Sequence, residues 1–492
     1  MILSKLLSDI ITAEIIGDEH IEVSAVVSDS RRVTADSLFV AVPGPVSDGH
    51  DYIDKALESG AVAVVCERLP VSPAVGVTWI RVPDAAVALG FLASAWYGHP
   101  SRQLTLVGVT GTNGKTTTAT LLYEMARLRG QRAGLLSTVE NRVDDKVYPA
   151  HNTTPSPLEI NRLLAEMVDC GCSFAAMEVS SHGMVQKRTA GLHFSGGIFT
   201  NLTRDHLDYH KTFAAYLAAK KSFFDSLPKT AWALTNADDA NGEVMLQNTA
   251  ARRATYSLRG TATFSGRIVE SRIDSMLLSL DGTEVETQFA GRFNAYNLLA
   301  VYGASRLMGF SNHDTCVLLS RLVPVAGRFQ LYKSADGVTA IVDYAHTPDA
   351  LQNVLATIAE AMGPAANGEI ITVFGAGGNR DHGKRPQMGA IAAAGSQRII
   401  ITSDNPRDED PEDIADDVKA GVPVDSPARV DVILERAAAI HVAIDEARPG
   451  DVVLVAGKGH EDYQIFEGGR TIHFDDRQRV QDELRERTAN NN

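Results

Sequence analysis

The sequence predicts an α/β protein of three domains: a small α/β domain, a central domain with a parallel P-loop sheet covered by helices, and a C-terminal Rossmann-like α/β domain. Three observations lead to this prediction. The 492 residues suffice for about three domains of ordinary size. From about residue 99, apolar strand patterns alternate with helical patterns, as in parallel sheets. Several of these strands run into polar or glycine-rich loops. We place the domains at residues 1–98, 99–329 and 330–492.

The composition argues against several classes of protein. Hydrophobic residues make up 44% of the chain and charged residues 22%, which is ordinary for a soluble globular protein. A formal net charge of −15 argues against nucleic-acid binding, which depends on basic residues that neutralise phosphates. The N-terminus is not typical of a signal peptide, and no apolar run is long enough to span a membrane, so we expect a cytoplasmic protein without membrane contact. Cys66, Cys170, Cys172 and Cys316 are scattered and predict reduced, mostly buried thiols.

The first domain contains two short apolar runs, at 38–42 and 61–65, that predict buried strands. A helical pattern at 52–58 lies between them, after a polar loop rich in turn residues at 45–50. A loop of this kind is usually only a connection.

The clearest functional motif is the run Gly-Thr-Asn-Gly-Lys-Thr-Thr at residues 111–117. A buried strand is predicted before it, at 104–107, and a helix after it, at 115–129. Small residues between a strand and a helix N-terminus let backbone N–H groups surround a polyphosphate. Lys115 could then reach the outer phosphates, and the Thr116 hydroxyl could ligate Mg²⁺. Val109 stands where the common motif has a glycine, and Gly111 gives a shorter form of it. The chain is therefore predicted to bind a nucleoside triphosphate.

Two other predicted strand ends of the central domain carry polar side chains. The apolar run at 174–177 ends in Glu178, on the sheet edge that also carries the P-loop. This position favours a Mg²⁺ ligand over a helix cap or an ion-pair partner. His206 follows the run at 197–200, and the sequence leaves open whether it caps a turn or takes part in chemistry.

The helix predicted at 212–227 has a lysine on its apolar face. The apolar stripe consists of Phe213, Leu217, Phe224 and Leu227. Lys220 falls near the centre of this stripe, whereas Lys221 points to one side. A charged lysine on a buried face is costly unless it is paired, neutral or modified. Two interpretations stay open: the side chain extends to solvent, or its amine is converted to a carbamate that serves as an oxygen ligand for a hard cation.

The third domain has four predicted strands that each run into a polar loop, at 339–343, 369–374, 398–402 and 451–456. Ligands collect beyond the carboxyl ends of parallel strands, so we predict a second substrate site at this edge. The glycine-rich run at 375–378 is by itself a weak dinucleotide-binding signal, because the GxGxxG spacing is missing.

Taken together, these motifs resemble those of the Mur ligase family of peptidoglycan synthesis, over nearly the whole chain. The residues that carry the resemblance are GTNGKTT at 111–117, EVSSH at 178–182, DHLD at 205–208, Lys220, Asn297, Arg328 and DYAHTP at 343–348. The resemblance implies an ATP-dependent ligase that, with Mg²⁺, turns the D-glutamyl carboxylate of UDP-N-acetylmuramoyl-L-alanyl-D-glutamate into an acyl phosphate and couples it to an amino acid.

The resemblance also implies roles for individual residues. The catalytic residues would be Lys115, Glu178, His206, Lys220, Asn297, Arg328 and Asp343. The ATP-binding residues would be Gly111, Thr112, Asn113, Gly114, Lys115, Thr116, Thr117, Asn297 and Arg328. The metal ligands would be Thr116, Glu178 and Lys220 as a carbamate. The UDP-muramoyl dipeptide would contact Ser28, Ser30, Pro45, Val46, Ser47, Asn152, Thr153, Thr154, Ser180, Gln186 and Arg188.

The amino acid would be bound by Arg380, Asp404, Asn405, Pro406, Arg407, Gly457 and Glu461. The run Asp-Asn-Pro-Arg at 404–407 resembles that of family members that add meso-diaminopimelate. The second carboxylate of that amino acid suits a bidentate guanidinium such as that of Arg407. The alternative for this run is a tight turn with a surface ion pair.

Three alternatives to a diaminopimelate-adding ligase stay open: the same ligation with L-lysine, a folate-type polyglutamate ligase, and a nucleotide-switched binding module. The first 98 residues argue against the folate-type enzyme, which needs no UDP-sugar domain. The guanine-reading motif of nucleotide switches is not apparent in the sequence. We expect small-molecule partners only, a monomer, and closure of the domains before chemistry.

Overall fold

The computed structural model describes residues 1–44, 47–363 and 367–490. Within these residues the strands form three large sheets and one two-stranded hairpin. All strands of each large sheet come from one of the three predicted segments. In the described part of the chain, no helix combines the length and the apolar character needed to cross a membrane. All four cysteines are free thiols, and only Cys170 is partly exposed.

The N-terminal unit is a five-stranded sheet in the order β1-β5-β4-β3-β2. Its elements are α1 (Leu3–Leu7), β1 (Glu14–Ile16), β2 (Ala25–Val27), β3 (Ser37–Val40), α2 (Ile53–Glu58), β4 (Ala61–Cys66), β5 (Thr78–Arg81) and α3 (Ala85–Trp96). Only β1 runs antiparallel to its neighbour. Helices α1 and α3 cover one face and α2 covers the other, each over an apolar core. The predicted strands and helix of this unit are confirmed.

The central unit contains an eleven-stranded sheet in the order β16-β15-β14-β13-β12-β11-β6-β10-β7-β8-β9. Its strands are β6 (Thr105–Thr110), β7 (Ala133–Leu136), β8 (Glu140–Val143), β9 (Lys146–Pro149), β10 (Phe174–Glu178), β11 (Gly196–Phe199), β12 (Trp232–Asn236), β13 (Arg252–Ser257), β14 (Phe264–Ser271), β15 (Met276–Leu280) and β16 (Thr283–Thr287). Its helices are α4 (Lys115–Leu128), α5 (Pro157–Asp169), α6 (Ser181–Val185), α7 (Leu207–His210), α8 (Phe213–Asp225), α9 (Gly242–Leu246), α10 (Arg292–Leu307) and α11 (Asn312–Ser320).

Strands β14, β13, β12, β11, β6, β10 and β7 of this sheet are parallel, and antiparallel strands extend it at both ends. One apolar core packs α4, α10 and α11 on one face, and another packs α5, α8 and α9 on the other. The predicted parallel sheet covered by helices is therefore confirmed. Strand β6 runs three residues beyond the predicted strand, through Gly108, where a Cβ atom would come 2.5 Å from the Phe223 ring of α8.

The C-terminal unit has a six-stranded sheet in the order β17-β18-β22-β19-β20-β21. Its strands are β17 (Gln330–Lys333), β18 (Thr339–Asp343), β19 (Ile370–Phe374), β20 (Arg398–Ile401), β21 (Arg429–Val432) and β22 (Val452–Ala456), and β23 (Tyr463–Ile465) and β24 (Thr471–His473) form the hairpin. Its helices are α12 (Pro348–Met362), α13 (Lys384–Gly395), α14 (Pro411–Lys419), α15 (Arg436–Asp445) and α16 (Asp476–Asn490). Only β17 is antiparallel, and cores lie on both faces. The four strands predicted to end at one edge do so.

Candidate active site

The loop at 111–117 joins β6 to α4, as predicted, and two of its glycines are required by their surroundings. Gly111 has a φ of 151°, and a Cβ atom there would come 1.9 Å from Oγ1 of Thr200. Gly114 has a φ of 85°, and a Cβ atom there would come 2.4 Å from Oδ1 of Asn297. A side chain at either position would therefore displace the loop from the end of β11 or from α10.

Hydrogen bonds to the segment after β11 fix the loop between these two glycines. The Asn113 amide donates to Oδ1 of Asn201 (2.9 Å), and the Thr200 hydroxyl donates to the Asn113 carbonyl (2.6 Å). The Thr112 amide donates to the Asn201 carbonyl (2.8 Å). The backbone of the loop is therefore held in one shape at the N-terminus of α4, where anions are favoured.

Lys115 is folded over the loop. Its Nζ donates to the carbonyls of Gly111 (3.0 Å) and Thr112 (2.8 Å). Burial lowers the pKa of Lys115, and the charges of Glu178 and Asp205 oppose this shift. The amine is thus held against the backbone of the loop.

Glu178 ends β10 beside the P-loop and is fully buried. Its Oε1 accepts a hydrogen bond from the Thr138 amide (2.7 Å), whereas Oε2 is buried without a hydrogen-bond partner. An unpaired buried carboxylate oxygen is costly, and a hard cation would satisfy it. Among the described residues, no group of three or more His, Cys, Asp or Glu side chains could hold a metal ion by itself. The unpaired Oε2 of Glu178 and the Thr116 hydroxyl are the protein oxygens here that could hold Mg²⁺, a cation that commonly keeps water and phosphate oxygens as its other ligands.

Lys220 lies on α8 with an exposed fraction of only 1%. Its Nζ donates to the Gly111 carbonyl (2.6 Å) and lies 4.6 Å from the centre of the Tyr216 ring. The interpretation in which this amine reaches solvent is therefore wrong, because the side chain turns inward beneath the P-loop. Burial lowers the pKa of Lys220 well below its usual value, and the nearby charge of Lys115 adds to this effect.

The predicted apolar stripe of α8 is partly wrong. Phe213 begins the helix and is 41% exposed, because the first turn extends past the core. The buried residues of this helix are Tyr216, Ala219, Lys220, Phe223 and Phe224.

His206 lies in a turn before α7, in the left-handed region with a φ of 54°. Its Nε2 lies 3.3 Å from Oδ2 of Asp205, and its ring centre lies 4.9 Å from that of His182. Burial lowers the pKa of His206, against the opposing effect of Asp205. His206 occupies the N-cap position of α7, but its side chain makes no capping hydrogen bond and lines the cavity as a neutral imidazole.

Residues after the central sheet approach the P-loop from a second side. Nη2 of Arg328 donates to Oγ1 of Thr116 (3.2 Å). Asp343 ends β18 and accepts a hydrogen bond from the Phe329 amide (2.6 Å). Burial raises the pKa of Asp343 to about 6, although the charge of Arg328 opposes the shift. Asn297, which contacts Gly114, completes a set of polar groups around the loop.

These groups line a cavity of about 460 Å³ between the central and C-terminal units. The P-loop residues 112–117 form one wall, and residues 343–346 and the start of α12 form the opposite wall. Nδ2 of Asn113 donates to Oδ2 of Asp349 (2.7 Å), so the two walls meet at this point. The size and the polar lining suit a nucleotide held between two units.

The structure brings four of the residues predicted to bind the UDP-muramoyl dipeptide into one hydrogen-bonded cluster. The Ser180 amide donates to Oγ1 of Thr154 (2.9 Å). Nη1 of Arg188 donates to the Thr154 carbonyl (2.5 Å), and its Nε donates to Oε1 of Gln186 (2.9 Å). This cluster adjoins β10 and is reached from the cavity through Thr153, whose hydroxyl accepts from Thr138 (3.1 Å).

The remaining residues of that set are more distant from the cluster or exposed. Asn152 is exposed on the loop before α5. Ser28 and Ser30 follow β2 in the N-terminal unit, and neither lines the cavity as far as the described residues go. Ser47 is exposed, whereas Pro45 and Val46 lie outside the described residues.

The predicted amino-acid residues meet at the ends of β20 and β22. Nδ2 of Asn405 donates to Oε2 of Glu461 (3.0 Å). A Cβ atom at Gly457 would come 2.7 Å from Oδ2 of Asp404, so glycine allows this close approach. Pro406 is buried between these residues and the loop after β19.

The two arginines of this set differ in exposure. Arg407 is partly buried, and its Nη1 donates to the Gly378 carbonyl (2.8 Å). Its guanidinium therefore lies inside the loop cluster, by which we mean the loops that follow β19, β20 and β22. This position contradicts a surface ion pair. Arg380 is exposed, but its charge contributes, after burial, to lowering the pKa of His182 in the central unit.

Sequence reasoning missed two residues of this region. Lys458 is fully buried and donates to Oδ1 of Asn405 (3.2 Å) and Oε2 of Glu461 (3.1 Å). Tyr344 donates to Oε1 of Glu461 (3.2 Å). A lysine between two glycines directly after an apolar strand, as at 457–459, is the signal that could have identified the first. The tyrosine lies within the DYAHTP run at 343–348 that carries the family resemblance, but that run by itself assigns it no role.

Comparison with known proteins agrees with this geometry. Three family models match successive parts of the chain: the catalytic domain of the Mur ligase family at 22–97, the Mur ligase middle domain at 109–305, and the Mur ligase glutamate ligase domain at 327–459. The matches cover most of the chain and follow the order of the three sheets.

Individual relatives match over almost their full length. The UDP-N-acetylmuramoyl-L-alanyl-D-glutamate–2,6-diaminopimelate ligase of Bacteroides thetaiotaomicron is 53% identical, over 97% of this chain and 98% of that protein. The protein of the same name from Parabacteroides distasonis is 55% identical, over 95% and 96%. A solved structure of a ligase of this name is 32% identical, with a TM-score of 0.66, and the match covers 94% of this chain and 95% of that one. The resemblance seen in the sequence is confirmed: the chain belongs to the Mur ligase family.

Proposed function

We propose that the chain is the ATP-dependent ligase that adds meso-diaminopimelate to the D-glutamate of UDP-N-acetylmuramoyl-L-alanyl-D-glutamate, in the synthesis of peptidoglycan precursors. The observation that carries this proposal is the position of Glu461, which is one hydrogen bond from Tyr344 in the cavity lining and accepts another from Asn405, in the same loop cluster as Arg407. Relatives that are 50–55% identical carry the name of this ligase. The products would be ADP, phosphate and an amide-linked tripeptide.

In the first step, the D-glutamyl carboxylate would attack the γ-phosphorus of ATP to give an acyl phosphate and ADP. Phosphoryl transfer needs positioning and neutralisation of negative charge more than covalent help. The loop amides, Lys115 and Arg328 would provide both, because they converge on the P-loop wall of the cavity at the first turn of α4. Thr116 and Glu178 would hold Mg²⁺, which supplies positive charge to the phosphates when it is bound.

The proposal includes a carbamate on Lys220. A neutral amine adds to CO₂ to form a carbamate with loss of one proton, and the low pKa that burial gives Lys220 favours the neutral amine. The product would place an anionic oxygen beneath the P-loop, next to the Gly111 carbonyl. That oxygen would serve as a ligand for a hard cation, whose positive charge would compensate the buried anion.

In the second step, the neutral amine of diaminopimelate would attack the acyl phosphate and release phosphate. Arg407 would bind the carboxylate at the far end of the amino acid, which L-lysine lacks. Asp404 and Glu461 would face the ammonium group beside that carboxylate. His206 and Asp343 would orient the reacting groups from opposite walls of the cavity, Asn297 would hold the P-loop at Gly114, and Arg380 would close over the amino acid.

The UDP-muramoyl dipeptide would extend from Ser28, Ser30 and Ser47 in the N-terminal unit to the cluster of Thr154, Ser180, Gln186 and Arg188. A separate N-terminal sheet supports a UDP-sugar substrate over a folate-type one. The proposal also includes domain boundaries after residues 98 and 329, a monomeric state and a cytoplasmic location.

The experiment is mass analysis of the product after incubation with the UDP-muramoyl dipeptide, ATP, Mg²⁺ and meso-diaminopimelate. We expect a product heavier than the dipeptide substrate by diaminopimelate less one water, with one phosphate released per product. ATP hydrolysis that proceeds equally without any amino acid would contradict the proposal and favour a nucleotide switch.

A further inference from the structure

Tyr344 follows β18 directly and lines the nucleotide cavity. It also touches the loop cluster around Glu461 through its hydroxyl. This side chain is therefore shared by the wall of one site and the framework of another.

One contact of Tyr344 leads to the P-loop. The Arg328 guanidinium lies over the Tyr344 ring, 4.4 Å from its centre. Nη2 of the same arginine donates to Thr116 at the start of α4 (3.2 Å). A guanidinium that stacks on an aromatic face loses freedom to rotate. The ring therefore fixes the direction in which Arg328 approaches the P-loop wall of the cavity.

The other contact leads to the amino-acid loops. The Tyr344 hydroxyl donates to Oε1 of Glu461 (3.2 Å), whose Oε2 accepts from Asn405 (3.0 Å) and Lys458 (3.1 Å). Burial and the neighbouring Glu461 carboxylate raise the pKa of Tyr344, which keeps the hydroxyl protonated as a donor. Any movement of Glu461 is therefore transmitted to the tyrosine.

The ring between these contacts has little room to move. Its centre lies 4.6 Å from that of His346 and 4.9 Å from that of His460. A Cβ atom at Gly459 would come 2.7 Å from Cβ of Tyr344, and one at Gly327 would come 2.2 Å from the His460 amide nitrogen. The segment that connects the central and C-terminal units is thus packed against the amino-acid loop.

We propose that Tyr344 is a positioning residue that couples the binding of the amino acid to the binding of the nucleotide. An amino acid that holds the Glu461 side chain in place also restricts the Tyr344 ring and, through that ring, holds Arg328 against the P-loop wall of the cavity. When the first ligand has ordered these side chains, the second ligand binds without that loss of entropy and therefore more tightly. By linkage, each ligand raises the affinity for the other by the same factor. The inference rests on the proposed function, because it takes diaminopimelate as the ligand near Glu461.

The test measures the affinity of a non-hydrolysable ATP analogue with Mg²⁺, by calorimetry, with and without saturating meso-diaminopimelate. For the wild-type protein we expect diaminopimelate to tighten analogue binding at least about fivefold, within the usual range of such coupling. Tyr344→Phe keeps the ring but removes the hydrogen bond to Glu461. It should reduce the ratio of the two affinities to below about 2 while leaving binding of the analogue alone nearly unchanged.

Two further variants make the result specific. Tyr344→Leu also removes the face on which Arg328 stacks, so it should weaken binding of the analogue even without diaminopimelate. Tyr302→Phe is the matched control, because it removes a tyrosine–carboxylate hydrogen bond (3.0 Å to Asp281) away from the cavity lining and should keep the wild-type ratio. In turnover, Tyr344→Phe should raise the KM for diaminopimelate roughly tenfold, as for a lost hydrogen bond to a charged group, without changing the KM for the UDP-linked substrate.

The outcomes separate the two proposals. A wild-type ratio near 1, or an unchanged ratio in Tyr344→Phe, overturns the coupling role even if the wild-type protein makes the tripeptide. Equal rises in all three KM values in Tyr344→Phe also overturn it, because they indicate general damage to the fold. Failure of the wild-type protein to join diaminopimelate refutes the proposed function, whatever the variants do.

Discussion

The Nζ atom of Lys220 donates a 2.6 Å hydrogen bond to the carbonyl oxygen of Gly111, 109 positions earlier in the chain. The lysine thereby lies directly beneath the P-loop, although it belongs to a helix on the face of the sheet. Its amine is buried beside a second lysine, Lys115, and both features favour a neutral amine.

The first prediction concerns this amine. Lys220→Met should lower kcat roughly 10²-fold or more, because the site loses an anionic oxygen ligand for the cation that would neutralise the phosphates. Protein equilibrated with ¹³C-bicarbonate should give a carbamate carbon signal for the wild type and none for the variant. Lys221→Met is the control, since Lys221 forms an ion pair with Asp225 at the side of the same helix. Activity that survives in Lys220→Met would refute the carbamate.

The second prediction concerns Glu178. Glu178→Gln preserves the size of the side chain and an oxygen for the Thr138 amide, but removes the charge on the oxygen that has no partner. We expect the Mg²⁺ concentration for half-maximal activity to rise at least about tenfold, with a smaller change in the KM for diaminopimelate. An unchanged Mg²⁺ dependence would remove Glu178 from the metal site.

The third prediction concerns pH and Asp343, whose pKa is raised from 3.8 to about 6. Between these values the folded protein holds a proton that the unfolded chain has released. The free energy of unfolding therefore falls as the pH rises through this window, by up to roughly 3 kcal/mol, and the loss is complete above pH ~6. Asp343→Asn cannot ionise, so its stability relative to the wild type should increase from pH 4 to pH 7 in urea unfolding. Parallel stability profiles for the two proteins would contradict the shift.

The fourth prediction concerns Arg407. Arg407→Lys retains the positive charge but loses the planar pair of donors, so kcat/KM for diaminopimelate should fall roughly 10²-fold while the KM for ATP stays the same. Arg429→Lys, an exposed arginine that pairs with Asp431, serves as the control and should behave as the wild type. Equal losses for both amino-acid and nucleotide substrates would argue that Arg407 supports only the loop.

Most of the fold could be predicted from the sequence, because buried parallel strands give continuous apolar runs between polar loops. The predicted end of β6 was too early since Gly108 and Thr110 interrupt that run. Gly108 is required there by the Phe223 ring, a contact between distant segments that no local pattern reveals.

The positions of Lys115 after the P-loop and of Lys220 on a buried helix face could be predicted, because one motif and one helical phase carry that information. The site was not predictable where function depends on pairing between loops far apart in sequence. Tyr344 and Glu461 are 117 positions apart, and their hydrogen bond arises because β18 and β22 are neighbours in the sheet. The order of strands in a sheet depends on the packing of the whole domain and cannot be read from a single motif.

The central claim, that the loop cluster around Arg407 selects an amino acid with two charged heads for ligation, is tested most directly by competition. The wild-type protein would be given the UDP-muramoyl dipeptide, ATP and Mg²⁺ with equal concentrations of meso-diaminopimelate and L-lysine, and the two products would be quantified by mass. We predict that the diaminopimelate product exceeds the lysine product by roughly 10²-fold or more, as expected when a bidentate ion pair is available to only one competitor. Equal amounts of the two products, or an excess of the lysine product, would contradict the claim.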